Sequence, residues 1–233
     1  MDIRILELID GAKRAEGLTV IIDVFRAFSL ECYLFERGAK RIYPIGSLDA
    51  AFALKKEHRD YVLIGERGGA KVEGCDFGNS PWQSREFDFT GRTVIHTTSA
   101  GTQGIVNAAA AGAEEIVTAS LVNARAVAEH IKKKDPKVVS IVAMGKAGIE
   151  TAGEDVLCAE YIKACLEGRG EEFHIQEKAS ALKDTDGSHF FNPDNQEVFP
   201  EGDFFLCTEC DKFDFVIRVG QDEQGRLITT ATL

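Results

Sequence analysis

Asp23 follows the apolar run Val20-Ile21-Ile22 and stands just before Arg26. A carboxylate at the end of a buried run is costly unless it meets a cation or several donors. Arg26, as an ion pair capping the next helix, or a metal ion could each serve. Gly65-Glu66-Arg67-Gly68-Gly69 sets both charge signs among glycines. Glycines let the backbone approach a ligand and aim N–H groups at an anion. Arg67 can grip a phosphate or carboxylate through two N–H groups, although a plain turn with a surface ion pair has the same composition. Thr97-Thr98-Ser99-Ala100-Gly101-Thr102 joins a strand end to a helix start and is rich in hydroxyls. Free N–H groups and the helix dipole there suit a phosphate or sulfonate; helix capping by Thr98 or Ser99 is the structural alternative. Glu154 and Asp155 open a helical pattern, a place where the dipole alone favours acids.

Other chemistries lack their residues. The chain contains no GxxxxGK[ST], no GxGxxG after a strand and no GxSxG, which leaves a P-loop, a dinucleotide fold and a serine elbow unsupported. Cys75 is followed by Asp76-Phe77-Gly78-Asn79-Ser80-Pro81, without the arginine a cysteine phosphatase needs. The five histidines form no metal-spaced pair, so a metal here would be held by oxygen, which suits Mg²⁺. Cys207 and Cys210 make one CxxC with no second half for zinc, and read as packed thiols on a short apolar helix.

The elements that must position these residues alternate along the chain. Apolar runs at Val20–Ile22, Arg41–Ile45, Tyr61–Ile64, Thr93–Ile95, Glu115–Thr118 and Val138–Ala143 read as strands. Helical patterns cover Ala27–Arg37, Leu48–His58 after Ser47, Gln103–Ala111 before Gly112, Ala124–Lys134 after Asn123 as N-cap, and Asp155–Glu167 before Gly168. Asp184–Asn195 is polar and turn-like, and Phe213–Val219 with Leu227–Thr230 read as a closing hairpin or edge strands. The alternation predicts an α/β chain: a three-layer α/β/α fold on a mainly parallel, mixed sheet. It is expected as one domain over residues 1–233, with room for two α/β lobes. Ligands bind such sheets at the carboxyl ends of the strands, where nearly all the polar and glycine-rich segments fall.

With 44% hydrophobic residues in 233, the chain can bury a sizeable core. Its net charge of -11 makes nucleic acid and anionic membranes poor partners. The first residues carry no apolar signal region and the six cysteines are scattered, which predicts reduced thiols in the cytoplasm.

Taken in order, Ile22-Asp23-Val24-Phe25-Arg26-Ala27, Gly65–Gly69, Cys75–Pro81 and Thr97–Thr102 resemble the 2-phosphosulfolactate phosphatase family. Ser120 with Asn123-Ala124, Glu154–Ala159 and Asp211–Val216 look like its later segments, so the resemblance spans almost the whole chain. It implies a Mg²⁺-dependent phosphatase that converts (2R)-2-phospho-3-sulfolactate to 3-sulfolactate, a step towards coenzyme M. On that reading Mg²⁺ falls to Asp23, Glu66 and Asp155, and catalysis to Asp23, Arg26, Glu66 and Arg67. Substrate falls to Gly68, Gly69, Asn79, Ser80, the Thr97–Thr102 loop, Ser120 and Asn123. The expected partner is a small anionic substrate, with further copies of the chain if it forms a homo-oligomer. The rival readings are a phosphatase of another phosphorylated hydroxy acid and a non-catalytic anion-binding protein.

Overall fold

The computed structural model describes all 233 residues. Its ten strands form one sheet made of two parallel halves and a hairpin between them. In the first half β1 (Asp2–Glu7), β2 (Leu18–Ile22), β7 (Glu115–Ala119) and β8 (Val138–Ala143) lie side by side in the order β1-β8-β2-β7, all parallel. In the second half β3 (Arg41–Pro44), β6 (Thr93–Thr97) and β4 (Val62–Arg67) are also parallel, and β5 (Ala70–Lys71) folds back on β4. The hairpin of β9 (Val216–Gln221) and β10 (Leu227–Thr232) joins them, β9 antiparallel to β7 and β10 antiparallel to β3.

Three antiparallel steps reverse the strand direction, so the halves run in opposite senses. Neighbouring strands also rotate by about 20–25°, which reaches on the order of 100° over the five steps from β2 to β6. The result is visible in a contact: the Gly101 N–H, just beyond β6, donates to Asp23 Oδ2, just beyond β2, at 2.9 Å. The carboxyl ends of both halves therefore meet.

Each half is covered on both faces, which gives the three layers. Period-two alternation assigns the faces. Val20 and Ile22 of β2 pack with α5 (Ala124–Lys134), α6 (Gly153–Leu166) and α7 (Ile175–Ala181), while Ile21 faces α1 (Leu8–Ala12) and α4 (Gly101–Ala110). In the second half Leu63, Tyr43 and Ile95 take α3 (Leu48–Glu57), and Val62, Ile64 and Val94 take α2 (Ala27–Glu36) through Leu30 and Leu34. Phe28 of α2 packs in the first half's core, so this helix ties the halves together. A last short helix, α8 (Glu201–Cys207), packs beside the irregular 184–195 segment.

Most of the expected elements appear within a few residues of their predicted bounds, and three differences have physical causes. The hairpin sits in the middle of the sheet, because β9 and β10 find partners on either side. β1 is an additional edge strand; its mixed charge and half-buried pattern hide its period. Asn123 stands at the N-cap of α5 but its side chain makes no cap there: its Oδ1 accepts the Ser120 N–H at 2.9 Å and closes a 3-10 turn at Leu121–Asn123. Ser47 does cap α3, accepting the Ala50 N–H. All six cysteines are free thiols, Cys207 ending α8, and no helix is long and apolar enough to cross a membrane.

Candidate active site

Where the two sets of strand ends meet lies a cavity of about 400 Å³. Asp23 leaves β2 and is 8% exposed. Its Oδ1 accepts the Ala27 N–H at 3.2 Å and its Oδ2 the Gly101 N–H at 2.9 Å. Glu66 leaves β4 in the same way: Oε1 accepts the Ser99 N–H at 2.6 Å and Oε2 the Gly69 N–H at 2.8 Å. Both carboxylates therefore take N–H groups from the start of α4. Two of the N–H donors expected to cradle an anion in Thr97–Thr102, those of Ser99 and Gly101, hold the protein's own acids. Thr98 Oγ1 accepts the Thr102 N–H at 3.2 Å and so caps α4, leaving Ser99 and Ala100 as the loop residues that line the cavity.

Glu154 also lines the cavity, 6% exposed, and its Oε2 is buried with no hydrogen-bond partner. Asp155 beside it does not. Its oxygens accept the Val24 N–H at 2.7 Å and the Gly145 N–H at 2.8 Å. The acid that faces the cavity at the head of α6 is thus Glu154, and the trio Asp23, Glu66 and Asp155 is not gathered around one point. No three acidic, histidine or cysteine side chains stand close enough to form a complete metal cage.

The electrostatics are those of crowded, desolvated acids. Burial, reinforced by the charge of Glu66, raises the Asp23 pKa to about 6. Burial raises Glu154 to about 7, with Asp186 and Asp23 adding to it. Asp155 is also pushed well up by burial and by its neighbour Glu154.

Arg26 does not pair with Asp23. Its Nη1 donates to Asp203 Oδ2 and to the Val198 carbonyl, both at 2.8 Å, and its Nη2 to the Gly69 carbonyl at 2.5 Å. Phe199 lies against its guanidinium at 4.9 Å. Held this way, Arg26 still forms part of the cavity wall, 4% exposed. Arg67 turns away from the cavity, donating to the carbonyls of Glu66 and Gly46 and to Thr97 Oγ1. Gly68 and Gly69 line the wall at φ +60° and +83°, and a Cβ on Gly69 would lie 2.3 Å from the Phe199 ring. Asn79 lines it too, whereas the Ser80 hydroxyl is spent on Asp203 Oδ1 at 2.8 Å. Ser120 and Asn123 stay outside: Ser120 Oγ meets Ser29 Oγ at 2.5 Å and Asn123 closes the turn described above.

Sequence reasoning gave no role to Lys146, Asp186, His189, Phe190 or Phe199, all in the wall. Burial lowers the pKa of His189 and so favours its neutral imidazole. Four of the five come from the irregular 184–199 stretch, where no periodicity marks a site. The signal there is compositional: Phe190, Phe191 and Phe199 are large apolar side chains in an otherwise polar segment.

The chain matches the family model described as 2-phosphosulpholactate phosphatase over residues 3–221. It is 35% identical over 211 residues to a protein of Bacillus subtilis (strain 168) named probable 2-phosphosulfolactate phosphatase, covering 88% of each chain. A protein of the same name in Clostridium acetobutylicum is 36% identical over 165 residues, covering 70% of this chain and 68% of that one. A third, from Carboxydothermus hydrogenoformans, is 38% identical over 140 residues, covering 60% of this chain and 57% of that one.

Proposed function

Since the chain belongs to the 2-phosphosulpholactate phosphatase family, a family of phosphoric monoester hydrolases, we propose that its cavity binds (2R)-2-phospho-3-sulfolactate and hydrolyses the phosphate ester with the help of Mg²⁺. The observation that carries the reading is one wall holding two kinds of charge. Asp23, Glu66 and Glu154 are buried acids, and Arg26 and Lys146 are cations beside them.

The acids exceed what the protein neutralises. Glu154 Oε2 has no partner, and two of the three acids are pushed towards the neutral form. Mg²⁺ keeps several waters and needs only one or two carboxylates plus substrate oxygens, so the absence of a three-acid cage does not disfavour it. Glu154, with Asp23 and Glu66, would hold it; each oxygen of Asp23 and Glu66 accepts one N–H and keeps a second lone pair. When bound, the cation would neutralise charge on the phosphoryl group.

The remaining work falls to the chain's own residues. Phosphoryl transfer is mostly positioning and charge stabilisation. Arg26, immobilised by Asp203 and two carbonyls, presents its guanidinium to the transferring group without reorganising. Lys146, on the rim, meets the carboxylate or sulfonate of the substrate. Phe25, Phe190 and Phe199 narrow the cavity and exclude water.

A phosphate-release assay on (2R)-2-phospho-3-sulfolactate, with and without EDTA, tests this. Turnover that stops on chelation and returns with Mg²⁺ is expected. Asp23→Asn should stay folded and lose at least about 100-fold in kcat, the scale of removing one preorganised electrostatic group. A protein that releases no phosphate from any ester, yet melts higher with phosphate present, would be an anion binder instead.

A further inference from the structure

A fully buried polar chain runs from the cavity wall into the core. His96, in β6, and Glu31, in α2, are both 0% exposed. His96 Nδ1 lies 2.9 Å from Glu31 Oε1, and His96 Nε2 lies 3.0 Å from Asn79 Oδ1. Thr229 of the bridging hairpin donates to the other Glu31 oxygen at 3.3 Å. Around this chain the packing is apolar: Leu30 and Leu34 precede and follow Glu31, and Ile95 precedes His96, all at 0% exposure. Burying such a pair costs desolvation energy that an apolar replacement would avoid. Its end point is what sets it apart, because Asn79 lines the cavity and its amide nitrogen makes no hydrogen bond within the protein.

We propose that Glu31 and His96 are positioning residues, which hold the Asn79 side chain with its NH₂ group turned into the cavity as a donor to an anionic oxygen of the substrate. The inference rests on the phosphatase reading for the identity of that oxygen. An ionised Glu31 against Nδ1 requires a proton there. An acceptor against Nε2 requires the second, so in the proposed arrangement both ring nitrogens of His96 donate. In the opposite arrangement a neutral His96 would accept from the Asn79 NH₂. The amide oxygen would then face an anionic substrate, which repels it. The chain of contacts fixes which end of the amide the substrate meets.

The test separates positioning from mere stability. His96→Asn keeps a polar group near Glu31 and loses the one facing Asn79. Hydrolysis of (2R)-2-phospho-3-sulfolactate should then show KM raised about tenfold, the worth of one hydrogen bond to a charged group, with kcat much less affected. Asn79→Ala should do the same. In the Asn79→Ala background, His96→Asn should add nothing to KM, because its effect passes through the amide. His96→Gln, which can still donate towards Asn79, should recover most of the lost affinity. Equal KM effects of His96→Asn in both backgrounds would overturn the proposal. A second measurement needs neither activity nor a variant. The ¹⁵N spectrum of His96 in the wild-type chain should show protons on both ring nitrogens near neutral pH, and one bare nitrogen would overturn the donor orientation. If the wild type releases no phosphate, the phosphatase reading fails, and the imidazole spectrum still decides whether the amide is held as described.

Discussion

In the half-sheet β1-β8-β2-β7 the strand-end carboxylate is Asp23; in the half-sheet β3-β6-β4 it is Glu66. Each accepts one N–H from the Ser99–Gly101 stretch that leads into α4 and one from a residue three or four positions further along its own segment. Their neighbours differ. Asp23 is followed in space by Glu154 and Asp155 at the head of α6, so acids accumulate on that side. Glu66 sits in a tight turn with Gly68 and Gly69, whose backbone supplies a donor, while Arg67 turns aside to neutral acceptors. One half therefore gathers a surplus of acids, while the other holds its single strand-end acid on backbone N–H groups. A cation requirement, if this contrast is its origin, belongs to the first half.

The largest expected effect concerns the strap between the halves. Arg26 leaves β2, anchors on the buried Asp203 and reaches the Gly69 carbonyl across the cavity. Arg26→Met strands a buried carboxylate and should cost about 3–5 kcal/mol. Arg67→Met loses only neutral acceptors from a half-buried position and should cost about 1 kcal/mol. Urea unfolding of both variants measures the difference, and equal losses would dissolve the contrast.

Next comes pH. The Asp23 pKa is raised from 3.8 to about 6 and that of Glu154 from 4.5 to about 7. Both acids hold their protons longer folded than unfolded, so over this window the unfolded chain binds fewer protons. Their contribution is fully favourable below about pH 4 and is lost as pH rises to about 7. For Asp23 the loss is about 3 kcal/mol. Melting temperatures taken in chelator from pH 4 to 8 should record it against Asp23→Asn, in which the drop shrinks. Added Mg²⁺ should flatten the upper end; an unchanged slope would mean that these acids hold no cation.

The smallest effect separates adjacent acids on one helix. Asp155→Asn removes one of two acceptors from buried backbone N–H groups and should cost about 1–3 kcal/mol. Glu154→Gln removes an unpartnered buried charge and should leave stability level or higher while lowering turnover. Thermal unfolding and phosphate release, measured on both, should move in opposite patterns.

The strands that carry Asp23, Glu66 and the Thr97 loop were legible because each is a short apolar run ending in polar or glycine residues. The pairing of those ends was not, since it depends on twist and on a hairpin inserted between distant strands. Side-chain direction was equally hidden. Asp155 and Glu154 are adjacent in sequence, and only the helix rotation decides which enters the cavity. Arg26 and Arg67 are both near the right carboxylates, yet Asp203, far along the chain, captures one and Thr97 turns the other aside. His96 reads as one isolated histidine in a strand; its partners lie in α2 and in the Cys75–Pro81 loop, which no local pattern connects.

The position of the hairpin has a further consequence for how the chain is made. β9 and β10 come last of the ten strands and occupy the middle of the sheet. During synthesis each parallel half can gather its own strands, while the seam between them waits for residues 216–232. Domains form from the N-terminal side first on the ribosome, and pairings of high sequence separation are slow. Until that ribbon arrives, β7 and β3 each present an unpaired edge, the surface on which β-proteins aggregate. The nascent chain is therefore most exposed until residues 216–232 have emerged, and a chaperone that guards those two edges would act at the step where yield is decided.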